Sequence, residues 1–308
     1  MKKIIVSLLV LVLAMGIVGC NKDNAANNTA STDEKAEGTT TIGFVVSTQT
    51  NPFFVTLKEG AEAKAKELGV ELIVLDSQDD STKAASNMED LITRGVDVIV
   101  VNPTDSDAIV PSVEAANEAG IPVITVDRVS NGGEVVSSVA SDNIAGGKMA
   151  GEFIIEKLAG KGKVVELEGI SGANSAIERG QGFNEAIEGS GLEVVAKQTA
   201  DYDRSKGLEV MENILQSQPE INAVFAHNDE MALGALEAIK AAGRDNIIVV
   251  GFDATDDAVA SVEAGDLAAT IAQQPDIMGQ KAIEIAQKVA NGEEVEASIP
   301  VELKMVTK

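Results

Sequence analysis

The chain of 308 residues is long enough for two domains, and a hydrophobic content of 44% excludes a chain that is disordered throughout. Its 49 acidic and 24 basic residues give a formal net charge of −25, which makes nucleic acids and anionic lipid headgroups unfavourable partners. A single cysteine excludes an intrachain disulfide, and a single histidine, His227, cannot supply the paired imidazoles of most catalytic metal sites. We expect no metal site and no nucleic-acid partner.

The first residues predict a secretion signal. Two lysines precede an uncharged, mostly apolar run from residue 4 to 18, which is shorter than the ~20 apolar residues of a membrane-spanning helix. The run ends in Ile17-Val18-Gly19-Cys20, which resembles a bacterial lipobox. We predict a signal peptide over residues 1–19 and lipidation of Cys20, with a buried free thiol as the alternative.

Residues 20–40 are predicted to be the lipidated Cys20 and a flexible tether. After the cysteine, the segment consists of small, polar and charged residues without one large apolar side chain. Such a composition cannot bury enough surface to order itself.

From residue 41 onward, short β-branched runs alternate with amphipathic helical patterns. Leu57, Ala61, Ala65 and Leu68 mark the inner face of the first helix, and the second helix is predicted to turn Ala85, Met88 and Ile92 inward. Near-continuous apolar strands between helices indicate parallel sheets covered on both faces. At least nine strands are too many for one comfortable sheet, so we predict an α/β fold with two doubly wound parallel-sheet lobes. The strands are expected at residues 42–46, 71–75, 96–101, 121–126, 163–167, 193–199, 223–226, 247–250 and 268–272.

A repeated spacing between Asn and Asp residues supports two similar lobes. Asn102 follows an apolar strand and precedes Asp127, which ends the next strand, by 25 residues; Asn228 and Asp253 repeat that spacing. Ligands of open α/β sheets bind at the carboxyl ends of strands, so each lobe is predicted to present an Asn and an Asp to a ligand. The alternative is the coincidence of two αβ units of equal length.

Catalytic signatures are missing from the sequence: it has no phosphate-binding loop, nucleophile elbow or zinc-protease motif. His227 lies beside Asn228 at a strand end and is interpreted as a polar residue at a rim rather than as a general base. Asp127 and Asp253 could act as an acid–base pair, as in glycoside hydrolysis. Arg128, however, is expected to keep Asp127 ionised, so we favour binding over catalysis.

Several stretches resemble the ribose-binding members of the type I periplasmic binding protein family, from about residue 41 to the C-terminus. They are Val45-Val46-Ser47-Thr48, Asn51-Pro52-Phe53-Phe54, Asn102-Pro103-Thr104-Asp105-Ser106-Asp107, Asp127-Arg128, Glu178-Arg179-Gly180, Asn228-Asp229-Glu230-Met231-Ala232, Gly251-Phe252-Asp253 and Ala272-Gln273. The resemblance implies two lobes joined by a hinge: residues 41–141 with 274–302, and residues 142–273 with 303–308.

The resemblance also implies a ligand site in the cleft between the lobes. Tyr202, the only tyrosine, stands where the family's ribose-binding members have Phe. Without the resemblance, the aromatic side chains could be core residues, the arginines could form surface ion pairs, and Asn228, Asp229 and Asp253 could be helix caps. The implied site residues are Ser47, Asn51, Phe53, Phe54, Asn102, Asp127 and Arg128 from the first lobe, and Arg179, Tyr202, Asn228, Phe252, Asp253 and Gln273 from the second.

The implied function is a monomeric, lipid-anchored extracytoplasmic protein that binds D-ribose and delivers it to an ABC permease with a separate ATPase. No cofactor and no enzymatic activity are expected. Two acidic and two basic groups in the site favour a neutral ligand. The alternatives are another monosaccharide such as allose, galactose or another pentose, a furanose-like signalling molecule, the sensor half of a transcription regulator, and a sugar hydrolase. A regulator would need a DNA-binding helix pair where residues 1–40 instead predict signal, lipobox and tether.

Overall fold

A computed structural model describes residues 38–308. The predicted signal peptide, Cys20 and nearly all of the predicted tether lie outside the described residues. Among residues 38–308, no helix combines the length and the apolar character that a bilayer-spanning segment needs.

The first lobe is built on a six-stranded sheet in which every neighbouring pair is parallel. The strand order is β11-β5-β4-β3-β1-β2. Helices cover both faces, because alternate residues of the strands point to opposite sides: Phe44 packs with α1 and α9, whereas Val45 packs with α2 and α3. The elements are β1 Thr41–Val46, α1 Pro52–Leu68, β2 Glu71–Asp76, α2 Ser81–Arg94, β3 Val98–Val101, α3 Val110–Glu118, β4 Val123–Val126, β5 Val135–Ser141, α9 Pro275–Ala290 and β11 Ser298–Val301.

The second lobe repeats this plan with the strand order β12-β10-β9-β8-β6-β7. Only the pair β10–β12 is antiparallel among the strand pairs of residues 38–308. Helices α4 and α5 cover one face, while α6, α7 and α8 cover the other. The elements are α4 Asn143–Lys157, β6 Lys161–Glu168, α5 Asn174–Ile187, β7 Gly191–Thr199, α6 Arg204–Ser217, β8 Ala223–Ala226, α7 Asp229–Ala241, β9 Ile248–Asp253, α8 Asp256–Ala264, β10 Ala269–Ala272 and β12 Lys304–Val306.

The predicted α/β architecture of two doubly wound sheets is confirmed. The chain passes between the sheets three times, after β5, after β10 and between β11 and β12. The nine predicted strands are present with ends shifted by up to three residues, but β5, β11 and β12 were missed. These three strands lack a long apolar run, since β5 carries three serines and the other two are very short.

One predicted helix face is wrong by a residue. The buried side chains of α2 are Ala84, Met88 and Leu91, whereas Ala85 and Ile92 are only half-buried. Ile92 still packs at the margin of the core. Both patterns satisfy a helical period, and the sequence alone does not decide between them.

Glycines bring α4 and α5 into close contact. A Cβ on Gly147 would lie 2.1 Å from the backbone oxygen of Arg179, and a Cβ on Gly182 would lie 2.0 Å from that of Ile144. Only glycine permits two backbones to approach this closely. The contact fixes Arg179, which α5 carries, relative to the start of α4.

Candidate functional site

A narrow cleft lies between the lobes. Ten of the thirteen predicted ligand-binding residues line it, and Ser175 lines it as well. Ser47, Asn102 and Phe252 do not line it, although all three are buried behind residues that do. The lining residues are Asn51, Phe53, Phe54, Asp127, Arg128, Ser175, Arg179, Tyr202, Asn228, Asp253 and Gln273.

The start of α1 forms the aromatic wall of the first lobe. Asn51 caps the helix by accepting a hydrogen bond from the backbone N–H of Phe53 at 2.9 Å, and Pro52 occupies the first turn. The rings of Phe53 and Phe54 meet edge to face with centroids 5.1 Å apart. Both phenylalanines also pack into the lobe's core, so the core role and the wall role coincide.

Asp127 is held by two residues that stand behind the cleft. Asn102 Nδ2 donates to Asp127 Oδ2 at 3.1 Å and to the backbone oxygen of Val126 at 3.1 Å. The hydroxyl of Ser47 in turn donates to Asn102 Oδ1. Ser47 and Asn102 are thus placed to orient the carboxylate, while Asp127 itself faces the cleft.

Arg128 is buried between two aromatic rings. Its guanidinium carbon lies 5.1 Å from the ring centroids of both Phe54 and Tyr202, and its Nη1 donates to the backbone oxygen of Pro103 at 3.2 Å. Its Nε lies 3.7 Å from Asp127 Oδ2, which is an ion pair but too long for a hydrogen bond. In the described part of the chain, this buried Nε has no hydrogen-bond partner.

Arg179 is the corresponding cation of the second lobe. Its Nε donates to Asn143 Oδ1 at 2.9 Å, and its Nη1 donates to the backbone oxygen of His227 at 2.6 Å. The same Nη1 lies 3.8 Å from Asp253 Oδ1. The guanidinium carbon stacks 3.7 Å from the centroid of Phe252, so this phenylalanine supports the arginine from below instead of forming a wall.

Asp253 and Gln273 complete the second lobe's side. Gln273 Nε2 donates to Asp253 Oδ1 at 2.8 Å, while its Oε1 is buried without a hydrogen-bond partner among residues 38–308. Buried polar groups are nearly always hydrogen-bonded, and exceptions deserve an explanation. One donor atom of Arg128 and one acceptor atom of Gln273 therefore mark the cleft as a place for a polar ligand.

Tyr202 lies flat against Gly169 and closes one side of the cleft. A Cβ on Gly169 would lie 2.0 Å from the Tyr202 ring, so the ring depends on that glycine. Its hydroxyl is bonded to Ser175 Oγ at 2.9 Å, and its backbone oxygen accepts from Asn228 Nδ2 at 3.2 Å. Asn228 Oδ1 also accepts from the N–H of Met231 and so caps α7, which makes Asn228 both a helix cap and a cleft residue.

Three cleft residues have strained backbones. Asp127, Tyr202 and Asp253 have φ values of 64°, 61° and 121°, in a region that side chains other than glycine rarely adopt. Such strain persists only where the surrounding structure holds it, and it concentrates at functional sites. These three residues lie in the same cleft as the unpartnered Arg128 Nε and Gln273 Oε1.

Burial controls the charges of the cleft. It raises the pKa of Asp127 above its usual range, although Arg128, Arg179 and Asn102 act in the opposite direction. The expectation that Arg128 would prevent such a rise was wrong, because burial outweighs the nearby guanidinium groups. Burial also raises the pKa of Asp253 well above its usual value.

His227 does not lie at a rim, as its strand-end position suggested. It is fully buried, and its Nε2 lies 3.1 Å from the equally buried Glu166 Oε1. Burial lowers the pKa of His227. Burial raises that of Glu166, but the hydrogen bond and the charge interaction with His227, together with the charge of Lys197, more than offset it, so the pKa of Glu166 is lowered overall. The backbone oxygen of this buried His227 is the one that accepts from Arg179.

Asp229 makes stability depend on pH. This carboxylate accepts from Thr270 Oγ1 at 2.7 Å and from the N–H of Thr255 at 2.8 Å, yet burial raises its pKa to about 7. The folded protein therefore holds the proton more tightly, and stability falls as pH rises from ~4 to ~7. Asp229→Asn should remove a slope of up to about 1.4 kcal/mol per pH unit.

Urea denaturation of the sugar-free protein at pH 5, 6, 7 and 8 measures this slope. Asp203→Asn, at an exposed helix cap, is the control and should keep the wild-type slope. Parallel pH profiles for wild type and Asp229→Asn would contradict the prediction.

Comparisons with known proteins agree with this geometry. A family described as "Periplasmic binding protein domain" matches residues 42–294. The ribose import binding protein RbsB of Haemophilus influenzae is 55% identical over 87% of this chain and 91% of its own, and that of Bacillus subtilis is 54% identical over 87% of both. A solute binding protein of an ABC transporter from Bacillus halodurans C-125, with bound myo-inositol, superposes with a TM-score of 0.84 at 37% identity, covering 88% of this chain and 95% of that one. The chain belongs to the periplasmic binding protein family.

Proposed function

We propose that this protein binds D-ribose in the cleft between its lobes and delivers it to an ABC importer in the membrane. The observation that carries the proposal is the pair of acid–arginine units, Asp127 with Arg128 and Asp253 with Arg179, which face one cleft from opposite lobes. Vicinal hydroxyls of a sugar can bind such planar groups in a bidentate way. The likeness to two ribose import binding proteins supports ribose among the sugars.

The charge balance of the cleft supports a neutral ligand. When both carboxylates are ionised, each is paired with its own guanidinium within 4 Å, and the set then carries no excess charge to attract an anion. Phe53, Phe54 and the Tyr202 ring offer apolar walls for the C–H faces of a sugar ring. A phosphorylated sugar would bring two negative charges that this balance does not neutralise.

Transport and not chemistry is the proposed outcome of binding. Contacts from both lobes favour the closed form, and the closed form would present both lobes together to the permease. We propose that the protein acts as a monomer, without a cofactor and without turnover, and that a separate ATPase supplies the energy. In the described part of the chain, no group of three or more His, Cys, Asp or Glu is placed to hold a metal ion.

Another monosaccharide or cyclic polyol is the second candidate ligand. The structural neighbour with bound myo-inositol supports it. Tyr202 stands where the ribose-binding members of the family have Phe, but its hydroxyl already has Ser175 as a partner. This pairing favours ribose, because it lets the tyrosine ring serve as the same apolar wall as a phenylalanine.

The proposed location is outside the cytoplasmic membrane, anchored through lipid on Cys20. The support is the signal-like sequence of residues 1–19 and the lipobox-like residues that end in the only cysteine. A lipid anchor on a binding protein suits a Gram-positive surface. Labelled fatty acid should be incorporated into the wild type and not into Cys20→Ser, and equal labelling of both would contradict the anchor.

Titration calorimetry of the purified protein tests the ligand. We expect D-ribose to bind at least about tenfold more tightly than D-allose or myo-inositol, because a site built to bond particular hydroxyls rejects misplaced ones. Ribose 5-phosphate should bind most weakly. The absence of heat with ribose at micromolar protein, or recovery of a chemically altered sugar, would contradict the proposal.

A further inference from the structure

Three hydrogen bonds join the lobes beside the cleft and not inside it. The N–H of Ser106 donates to the oxygen of Gly172 at 3.0 Å, the N–H of Asn174 donates to Ser106 Oγ at 3.3 Å, and the N–H of Val129 donates to Asn174 Oδ1 at 3.0 Å. Ser106 and Val129 lie in loops of the first lobe, while Gly172 and Asn174 belong to the second. None of the four lines the cleft. Separation of the lobes would break all three bonds.

The other end of the Asn174 carboxamide leads to the cleft arginine. Asn174 Nδ2 donates to Glu178 Oε1 at 3.2 Å, and the second carboxylate oxygen, Oε2, accepts from Asn143 Nδ2 at 3.3 Å. Asn143 Oδ1 then accepts from Arg179 Nε at 2.9 Å. A continuous chain of side-chain bonds therefore runs from the boundary between the lobes to the guanidinium in the cleft.

We propose that Asn174 is a positioning residue that couples closure of the lobes to the placement of Arg179. Its carboxamide is directional: with its oxygen held by Val129 of the first lobe, its NH₂ group must face Glu178. Closure thus fixes Glu178, which fixes Asn143 and, through it, the arginine. The inference rests on the proposed function, in which Arg179 binds a sugar hydroxyl.

The coupling has a definite kinetic signature. The bond between Val129 and Asn174 joins the two lobes and would break if they separated, so it stabilises the closed form without touching the sugar. Its loss should act on sugar release more than on sugar entry. Asn174→Ala should raise both the dissociation rate and the Kd by about 5- to 10-fold, with an association rate within twofold of wild type.

The protein carries its own optical probe for this measurement. It has no tryptophan and a single tyrosine, Tyr202, which lines the cleft, so all tyrosine emission comes from this residue. Stopped-flow emission with D-ribose, or with the tightest-binding sugar of the calorimetric panel, gives both rates. Asn117→Ala is the matched control, because the Asn117 carboxamide also bridges two groups, the N–H and the oxygen of Glu134, but within one lobe. The control should keep wild-type rates.

Three further variants test the link to Arg179. Asn174→Asp keeps an acceptor for the Val129 N–H and loses the donor to Glu178, so it should still weaken binding. Glu178→Ala should raise the Kd by about 3- to 10-fold. The Kd of the double variant Asn174→Ala/Glu178→Ala should be at most about twice the Kd of the weaker-binding single variant, because both substitutions interrupt the same chain of hydrogen bonds.

The outcomes separate the two proposals. The coupling would be overturned if the sugar dissociated from Asn174→Ala at the wild-type rate. It would also be overturned if the increase in Kd of the double variant equalled the product of the increases of the two single variants. A wild type that binds another sugar of the panel and not ribose would contradict the proposed ligand, while the comparison of variants with that sugar would still decide the coupling.

Discussion

Arg179→Ala is expected to raise the Kd for D-ribose by at least about 100-fold. The substitution removes a buried charged donor from the cleft, and hydrogen bonds to charged groups are the strong ones. It also leaves Asn143 Oδ1, the backbone oxygen of His227 and the carboxylate of Asp253 without their common partner. Breaking a buried ion pair leaves an uncompensated group, so the free energy of unfolding should fall by about 3 kcal/mol. Calorimetry and urea denaturation measure the two effects.

Arg94→Ala separates this effect from the general loss of an arginine. Arg94 lies on α2, is half exposed, and pairs with Asp90 one helical turn away. Exposed pairs of this kind contribute little to stability, so affinity should not change and stability should change little. Binding by Arg179→Ala within threefold of wild type would show that the guanidinium does not contact the sugar.

The positions of the two cleft aspartates could be predicted because strand ends are readable in a sequence. Asp127 and Asp253 each close an apolar run, and parallel strands bring such ends to one edge of a sheet. The equal spacing from Asn102 to Asp127 and from Asn228 to Asp253 does reflect two equivalent units. The contacts nevertheless differ: Asn102 bonds Asp127, whereas Asn228 caps α7 and holds Tyr202.

The supporting residues could not be predicted because tertiary packing alone gives them their roles. Ser175 and Asn143 belong to helical segments without any local signature of a site, and Glu178 stood out only as a neighbour of Arg179 in a stretch that resembles the family. Glu166 has the sequence position of an ordinary strand residue, yet it is fully buried with His227. Phe252 was expected as a wall of the cleft, but the alternation of a strand turns its ring under Arg179. Only the distances between elements reveal these roles.

Gly169→Ala is expected to weaken ribose binding by about 10- to 100-fold without removing any group from the cleft. The added methyl would overlap the Tyr202 ring at 2.0 Å, while the φ of Gly169 lies outside the left-handed region and adds no backbone strain. The ring must therefore shift toward the guanidinium groups of Arg128 and Arg179, which flank it at 5.1 and 5.9 Å. Overpacking of this size costs about 1–3 kcal/mol, which matches the expected loss of affinity.

Two variants of Tyr202 make this expectation specific. Tyr202→Phe removes only the hydroxyl bonded to Ser175, so the Kd should change by less than about fivefold. Tyr202→Leu loses the flat wall, and Gly169→Ala should add little to it, because the ring that the methyl would displace is gone. Calorimetry gives each Kd, and tyrosine emission of Gly169→Ala reports the displaced ring directly. Wild-type affinity and emission in Gly169→Ala would mean that the cleft does not depend on where Tyr202 lies.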